Sequence, residues 1–385
     1  MIDSQAASDK PFISLCMIVK NEGKNLDRCL ASAQPYVDEI VIVDTGSQDN
    51  TLEIATQYGA RLDYFEWCDD FSAARNYALT KVSGRWILHL DADEELVVED
   101  ANFRQQIFSQ PDVLVYALTR NDINVPESAF LGGFHARVFR NLPGFRYVNR
   151  YHEQLQYQGD RPIVHQHLQG ARILHYGNSD EASLREKTLT RDIPILESIH
   201  QQDGLSFWLL DCLARNYLRT DQFDKAQDCY QEAFDRLLPH LMSGEKPEGF
   251  YWIPTLMHFM AEQALDRNDF ETARLLCHRG LEWCPNHLPL NYLAGYMLLD
   301  LGFPLGAIAY FEQCLHLAQT NRFHNSEPFQ STLLNVDPAC SLGCAQMKLG
   351  NWEQAIVAFE LALSFDANCP IAQQNLEAIR MKDQG

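Results

Sequence analysis

The chain has 385 residues, 46% of them apolar, and a formal net charge of −21. That length and apolar content predict two or three domains with real cores and exclude a disordered chain. The acidic excess is shared almost equally between the two halves, which argues against nucleic acid or an anionic membrane surface as partner.

The 11 cysteines include no CxxC pair, and several occupy apolar helical positions (Cys277, Cys314, Cys344). They read as reduced core thiols of a cytoplasmic protein rather than a disulfide framework. The stretch "MIDSQAASDKPF" lacks a basic segment followed by an apolar one, so no signal peptide is expected. No run approaches the roughly 18 apolar residues of a membrane span.

Residues 1–11 are expected to be a flexible N-terminus. "FISLCMIV" (12–19) reads as a buried strand, and Leu26, Cys29, Leu30 and Ala33 then recur at helical spacing. "DEIVIVD" is a second buried strand ending in Asp44. "SQDNTLEIATQYGA" predicts a helix with Ser47 or Asp49 as N-cap and Gly59 just past its end. "RLDYFEW" is a third strand, "DFSAARNYALTKV" a helix and "RWILHL" a fourth strand. Strands alternating with helices imply a mostly parallel sheet covered on both faces, with ligands beyond the carboxyl ends of the strands. Asn21, Asp44 and Asp91 all fall there. Residues 113–180 are less regular. "VLVYALTR" and "ARVFRNLPGFRYV" read as strands, with turns at Pro126, Gly132-Gly133 and Pro143-Gly144.

From about residue 181 the pattern is helical, first as a linker over 181–204. Ala226, Ala273, Ala307 and Ala355 then anchor a repeat over 205–385. Each is followed four residues later by Tyr230, Cys277, Phe311 or Phe359, and seven later by Ala233, Gly280, Cys314 or Ala362. The anchors lie 47, 34 and 48 residues apart. A unit of about 34 residues with this spacing is the helix-hairpin signature of tetratricopeptide repeats. The longer spacings predict insertions near 239–252 and 320–335.

"RWILHLDADEEL" ends an apolar strand in four carboxylates: Asp91, Asp93, Glu94 and Glu95. Residues i and i+2 of an extended chain point the same way, so Asp91 and Asp93 share one side. Hard oxygen anions so placed suit Mg²⁺ or Mn²⁺, which in turn holds a diphosphate. A cation in the cluster would also relieve its like-charge repulsion. Glu94 and Glu95 are expected to cap a following helix. His165 and His167 have one-face spacing, but no further ligand follows to suggest zinc. The absence of GxxxxGK[ST], and of GxGxxG opening a helix, leaves nucleotide hydrolysis and dinucleotide redox without support.

"SLCMIVKNEGKNLDRCL", "VDEIVIVDTGSQDNTLEIA", "DFSAARNYAL" and "GRWILHLDADEEL", in this order, resemble family 2 glycosyltransferases of the GT-A fold over residues 12–180. The likeness is greatest to a branch with a strand ending in KNE, a DxGSxDxT turn, an ARN helix and a late HE dipeptide, often followed by tetratricopeptide repeats. The resemblance implies that Asn21 and Glu22 lie beside the donor's ribose and that Asp44 accepts a hydrogen bond from its base. It implies that Arg75 approaches the nucleotide or its phosphates, that Asp91 contacts ribose or metal, and that Asp93 binds metal. Asn76 would cap or brace its loop. A transfer also needs a base for the acceptor's proton. His152-Glu153 matches the HE dipeptide, with Glu153 as base and His152 orienting it or touching phosphate. His175 is a third metal ligand, a diphosphate contact or a structural residue.

The expected reaction is metal-dependent, inverting transfer of a hexose from a nucleotide sugar, most readily a UDP-hexose, to a protein, peptide or glycan acceptor. The repeats would present that acceptor or mediate a homodimer. The alternatives are a peptide-binding scaffold carrying a degenerate transferase domain, and a transferase acting on lipopolysaccharide core or another envelope glycan.

Overall fold

A computed structural model describes residues 12–123, 134–160, 162–177, 181–324 and 329–382. The turns expected at Pro126 and Gly132-Gly133, residues 1–11, and part of the insertion near 320–335 lie outside the described residues. The chain divides into two compact units, one ending at Gln202 and the other beginning at Asp203.

The first unit begins with β1 (Ile13–Val19), α1 (Leu26–Ala33), β2 (Glu39–Asp44), α2 (Thr51–Gln57), β3 (Arg61–Tyr64), α3 (Phe71–Leu79) and β4 (Trp86–His89). The next elements are β5 (Glu94–Val98), α4 (Phe103–Ser109), β6 (Val115–Asp122), β7 (Phe134–Arg140), β8 (Phe145–Val148), β9 (Gln154–Tyr157) and β10 (His165–His175). Eight strands form one sheet in the order β3-β2-β1-β4-β7-β6-β10-β5, and β8 and β9 make a separate hairpin. β3, β2, β1 and β4 run parallel, as do β6 and β10, whereas β7 is antiparallel to both its neighbours and β5 is antiparallel to β10. This is the mostly parallel α/β sheet expected of a GT-A fold.

Both faces of the sheet are covered because successive side chains point to opposite sides. Leu15, Met17, Ile42 and Leu88 pack with Leu26, Cys29, Leu30, Ala33, Ile54 and Phe103 on one face. Cys16, Val41, Val43 and Ile87 pack with Ala78, Phe145 and Tyr147 on the other. The helix after β2 starts one residue later than its sequence suggests. Asn50 is the N-cap without a side-chain bond, and Asp49 instead accepts from the Thr51 N–H. The third strand stops at Tyr64 rather than Trp67. Glu94 and Glu95 cap no helix: they open β5, whose pairing with β10 sets Glu94 opposite His175.

The segment read as a linker is helical. α5 (Glu181–Lys187) passes through a π-helical turn at Thr188–Asp192 into α6 (Ile193–Asp203). It belongs to the first unit as far as Gln202.

The second unit stacks hairpins: α7 (Phe207–Arg219) on α8 (Phe223–Ser243), α9 (Ile253–Asp266) on α10 (Phe270–Trp283), α11 (Leu288–Asp300) on α12 (Pro304–Thr320), and α13 (Val336–Lys348) on α14 (Trp352–Phe365). α15 (Pro370–Lys382) packs against α14. All twelve anchor positions are buried. Gly343 on α13 faces the Phe359 ring so closely that a Cβ there would lie 2.6 Å from it. The small residue lets the helices approach, and the aromatic fills the gap. The extra length near 239–252 is taken up by α8 running on to Ser243 and by a 3-10 turn at Phe250–Trp252. Among the described residues no helix is long and apolar enough to cross a membrane. All 11 cysteines are free thiols, and all but Cys68 and Cys344 are buried.

Candidate active site

β4 is fully buried, and the chain emerges at its carboxyl end at Asp91. The charges that answer Asp91 are two arginines. Arg75, from α3, places Nη2 at 2.6 Å from Oδ1, and Arg137, from β7, places Nη2 at 3.2 Å from Oδ2. Both arginines are buried, while the Asp91 side chain stays 37% exposed at the mouth. Lost hydration opposes the Asp91 charge, but Arg75 and Arg137 outweigh it and hold its pKa well below the usual carboxylate range. The acidic cluster is therefore neutralised from within the protein, where the sequence suggested a metal ion for that role.

Glu94 is fully buried and pairs with Arg137, and its second oxygen accepts the backbone N–H of Asp91 at 3.0 Å. One glutamate thus fixes both the turn carrying Asp91 and the guanidinium that holds it. Behind them, the Tyr147 hydroxyl lies 2.8 Å from His89 Nδ1, and His89 Nε2 lies 3.4 Å from Asp91. Burial, then Arg75 and Arg137, push the His89 pKa down to about 3, so the ring is neutral. A neutral imidazole that accepts from Tyr147 and donates to Asp91 satisfies all three groups. Arg75 Nη1 and Arg137 Nε are buried without a hydrogen-bond partner among the described residues. Such a deficit costs stability and is tolerated chiefly at functional sites.

Arg75 also reaches across the site. Its Nε donates to Glu153 Oε1 at 3.0 Å, so one guanidinium joins Asp91 to a carboxylate that lies 78 residues beyond Arg75. Glu153 lies just ahead of β9, and His152 beside it has φ of 51°. A non-glycine residue held in the left-handed region stores strain, which clusters at functional positions. Asn76 donates to the Tyr147 carbonyl at 2.8 Å and accepts from the Tyr147 N–H at 2.8 Å, bracing β8 against α3.

Asp93 lies beside His175, with Oδ2 at 3.5 Å from Nε2. The other ring nitrogen, Nδ1, pairs with Asp122 at the end of β6. Burial opposes the imidazolium, but Asp122 and Asp93 overcome it and raise the His175 pKa to about 9. Gly177 faces both groups: a Cβ there would lie 2.3 Å from Asp93 Oδ2 and 2.6 Å from His175 Nε2. Among the described residues no three His, Cys, Asp or Glu side chains converge as a ready-made metal cage. A one-carboxylate, one-imidazole pair with a carboxylate behind the imidazole nevertheless fits a dication that displaces the proton His175 otherwise carries and takes its remaining ligands from water and phosphate. The space kept by Gly177 is where such an ion would need room.

The loops after β1 and β2 are tied to each other. Asn21, with φ of 54°, donates its N–H to Ser47 Oγ at 2.9 Å and accepts the Gln48 N–H on its side chain at 2.7 Å. Asp44 is buried and accepts from the N–H groups of Gly46 and Ser47, so its carboxylate forms the DTGS turn. Glu22 accepts from Asn25 Nδ2 at 2.9 Å and from Lys187 Nζ at 3.0 Å. These three residues line the strand ends, and each is engaged with protein partners.

Arg137, His89, Tyr147 and Asp122 carry no local sequence mark of their place in the site, and Glu94, expected to cap a helix, instead holds Arg137 and the Asp91 N–H. Arg137 sits among apolar strand residues in "FHARVFR", where nothing local marks it as a partner of Asp91. An inward-facing arginine in a central strand was the one available signal.

Residues 14–151 match the family model described as Glycosyl transferase family 2, and residues 336–369 match that of the tetratricopeptide repeat. The chain carries a family 2 glycosyltransferase domain. The transferase domain ends in the match at Tyr151, one residue before His152. A TPR repeat-containing protein of Synechococcus elongatus is 46% identical over 144 residues, 37% of this chain and 34% of the relative. The SPbeta prophage-derived glycosyltransferase SunS of Bacillus subtilis is 27% identical over 199 residues, 50% of this chain and 46% of the relative. The chain thus spans a third to a half of the length of these curated relatives. Among solved structures, Staphylococcus aureus TarS overlaps 69% of this chain and 54% of its own with a TM-score of 0.39 at 15% identity. Glucosyl-3-phosphoglycerate synthase of Mycobacterium tuberculosis, in complex with Mn²⁺ and UDP, overlaps 29% of this chain and 44% of its own with a TM-score of 0.25 at 21% identity.

Proposed function

We propose that the protein is a metal-dependent, inverting glycosyltransferase that moves a hexose from a nucleotide sugar to a protein, peptide or glycan acceptor. The observation that carries this reading is Arg75 holding Asp91 and Glu153 on one guanidinium. Asp91 faces the donor's ribose at the end of β4, and Glu153 faces the acceptor, so the two halves of a transfer site are set at a fixed separation. Preorganisation of this kind lowers the barrier by removing the need to orient the groups during reaction.

Glu153 is read as the base. As the acceptor oxygen forms its bond to the anomeric carbon, its proton passes to the Glu153 carboxylate, and the bond from that carbon to the diphosphate breaks with its electron pair leaving on phosphate. His152, adjacent and strained, orients the base. Asn21 and Glu22 border the ribose, and Asp44 shapes the turn on the base side. Asp93 and His175 would hold Mg²⁺ or Mn²⁺, with Asp122 fixing the imidazole. A bound dication supplies Lewis-acid neutralisation of the leaving diphosphate. UDP is the favoured nucleotide from the family resemblance, and the repeats are read as the acceptor's docking surface. The cysteine usage supports a reducing, cytoplasmic location.

A thermal-shift screen of nucleotide sugars with and without Mn²⁺ tests the reading. The wild-type protein should be stabilised by one nucleotide sugar in a Mn²⁺-dependent manner, and Asp93→Asn should lose that dependence while melting normally alone. Wild-type transfer rates in Asp93→Asn would overturn the metal assignment. Asp122→Asn should weaken metal affinity about 10–100-fold through the imidazole it orients.

A further inference from the structure

The π-helical turn at Thr188–Asp192 interrupts the passage from α5 into α6. π-turns are rare and concentrate at functional sites, because the i→i+5 pattern is less favourable than the α-helix it replaces. This one brings two cations to the strand ends. Lys187 immediately precedes it and reaches Glu22, in the loop after β1, at 3.0 Å. Arg191 lies within it, 5.2 Å above the ring of Phe71, the first residue of the helix that carries Arg75. Arg191 also lies within electrostatic reach of Glu22 and of Tyr151, which precedes His152 and Glu153. The segment is fastened further along by Arg150, whose guanidinium contacts Ser198 and Gln202 on α6.

Both cations are half-exposed, Lys187 at 42% and Arg191 at 40%. Each has one carboxylate partner, Glu22 for Lys187 and Asp192 for Arg191, and donors to spare among the described residues. A lysine ammonium has three N–H donors, and the arginine Nε–H engaged by Asp192 leaves both terminal nitrogens. In a chain of net charge −21 a polyanion is repelled at long range, so its site needs local cations held where phosphate will sit. Phosphate suits both groups: arginine as a fork, lysine as a point charge.

We propose that Lys187 and Arg191, presented by the π-turn, grip the diphosphate of the donor from the side opposite the sheet. This rests on the donor-binding reading above. On binding, phosphate oxygens take the donors that Lys187 and Arg191 keep in reserve, and Lys187 exchanges Glu22 for phosphate. The π-turn is thereby a specificity element: it distinguishes a nucleoside diphosphate from a monophosphate.

The test is calorimetric titration of the full chain with UDP, GDP and ADP, each compared with its monophosphate, in Mn²⁺. The diphosphate bound best by the wild type should bind about tenfold more weakly to Lys187→Met and to Arg191→Met, with the monophosphate little changed and the ligand-free melting temperature retained. Lys187→Arg should restore most of the loss, which a merely structural role for Lys187 does not predict. Equal diphosphate affinity in wild type and both variants overturns the proposal and leaves the donor reading intact. A wild type that binds no nucleoside diphosphate overturns both.

Discussion

Inside the first unit, Arg75 and Arg137 both pair with Asp91, and Arg137 also pairs with Glu94. The helical unit closes on Ala226, Ala273, Ala307 and Ala355 against rings and thiols. The first arrangement buries charge and, among the described residues, leaves two guanidinium nitrogens without partners, whereas the second fits small groups to large ones. Buried ion pairs contribute little net stability compared with apolar packing, but they hold side chains in one geometry. The difference separates a region built to position groups from one built to stack.

The largest expected effect sharpens this contrast. Arg137→Met leaves the Glu94 carboxylate buried and unpaired, and should cost about 3–5 kcal/mol and abolish transfer. Calorimetry should show the loss in the transition of the first unit alone. Phe359→Ala should cost a similar ~3–5 kcal/mol by opening a cavity beside Gly343, confined to the second unit. If Phe359→Ala instead lowers the first transition, the two units are not independent.

The pH responses should also differ. In the first unit, burial holds His89 down to about 3 and His135 to about 4. Between those values and the ordinary 6.5 the unfolded chain binds more protons than the folded one, so stability falls as pH drops through that window. Glu94, raised by burial, acts in the opposite direction. In the second unit His258, lowered to about 4 by burial, and His287, lowered well below its ordinary value by burial and then by His258 and His324, have the same sign as His89. Asp211 and Glu262, each raised to about 6 by burial, gain stability on acidification and offset them. The melting temperature of the first unit should therefore drop more steeply than that of the second between pH 6.5 and 4. His89→Gln should flatten that drop.

Helix caps give the smallest effect. Asp70 caps α3 by accepting from Ala73 at 2.9 Å, and Asp269 caps α10 by accepting from Thr272 at 3.1 Å. Replacing either with alanine should cost about 1 kcal/mol. Only Asp70→Ala should also lower the transfer rate, because α3 carries Arg75. Equal activity in the two variants would weaken the case that Arg75 positions the site.

Much of this was legible in local pattern. Apolar runs announced β1, β2 and β4, the spacing of Leu26, Cys29, Leu30 and Ala33 announced α1, and the small-aromatic-small rhythm announced the repeats. Such features depend on neighbours within a few residues, whose periodicity the chain displays directly. The partners of Asp91 were not legible. Arg75 was read as a nucleotide contact and Glu94 as a cap, and Arg137 was not singled out at all.

The sequence by itself determined that a mostly parallel α/β domain precedes helical repeats, and which residues gather at the strand ends. Tertiary structure alone decided what those residues do to one another. Arg137 comes to Asp91 from 46 positions away and Glu153 to Arg75 from 78. β5 pairs with β10 to bring His175 to Asp93, as a short sequence window cannot show. Electrostatic partnership depends on distance in space, and only the assembled sheet sets that distance.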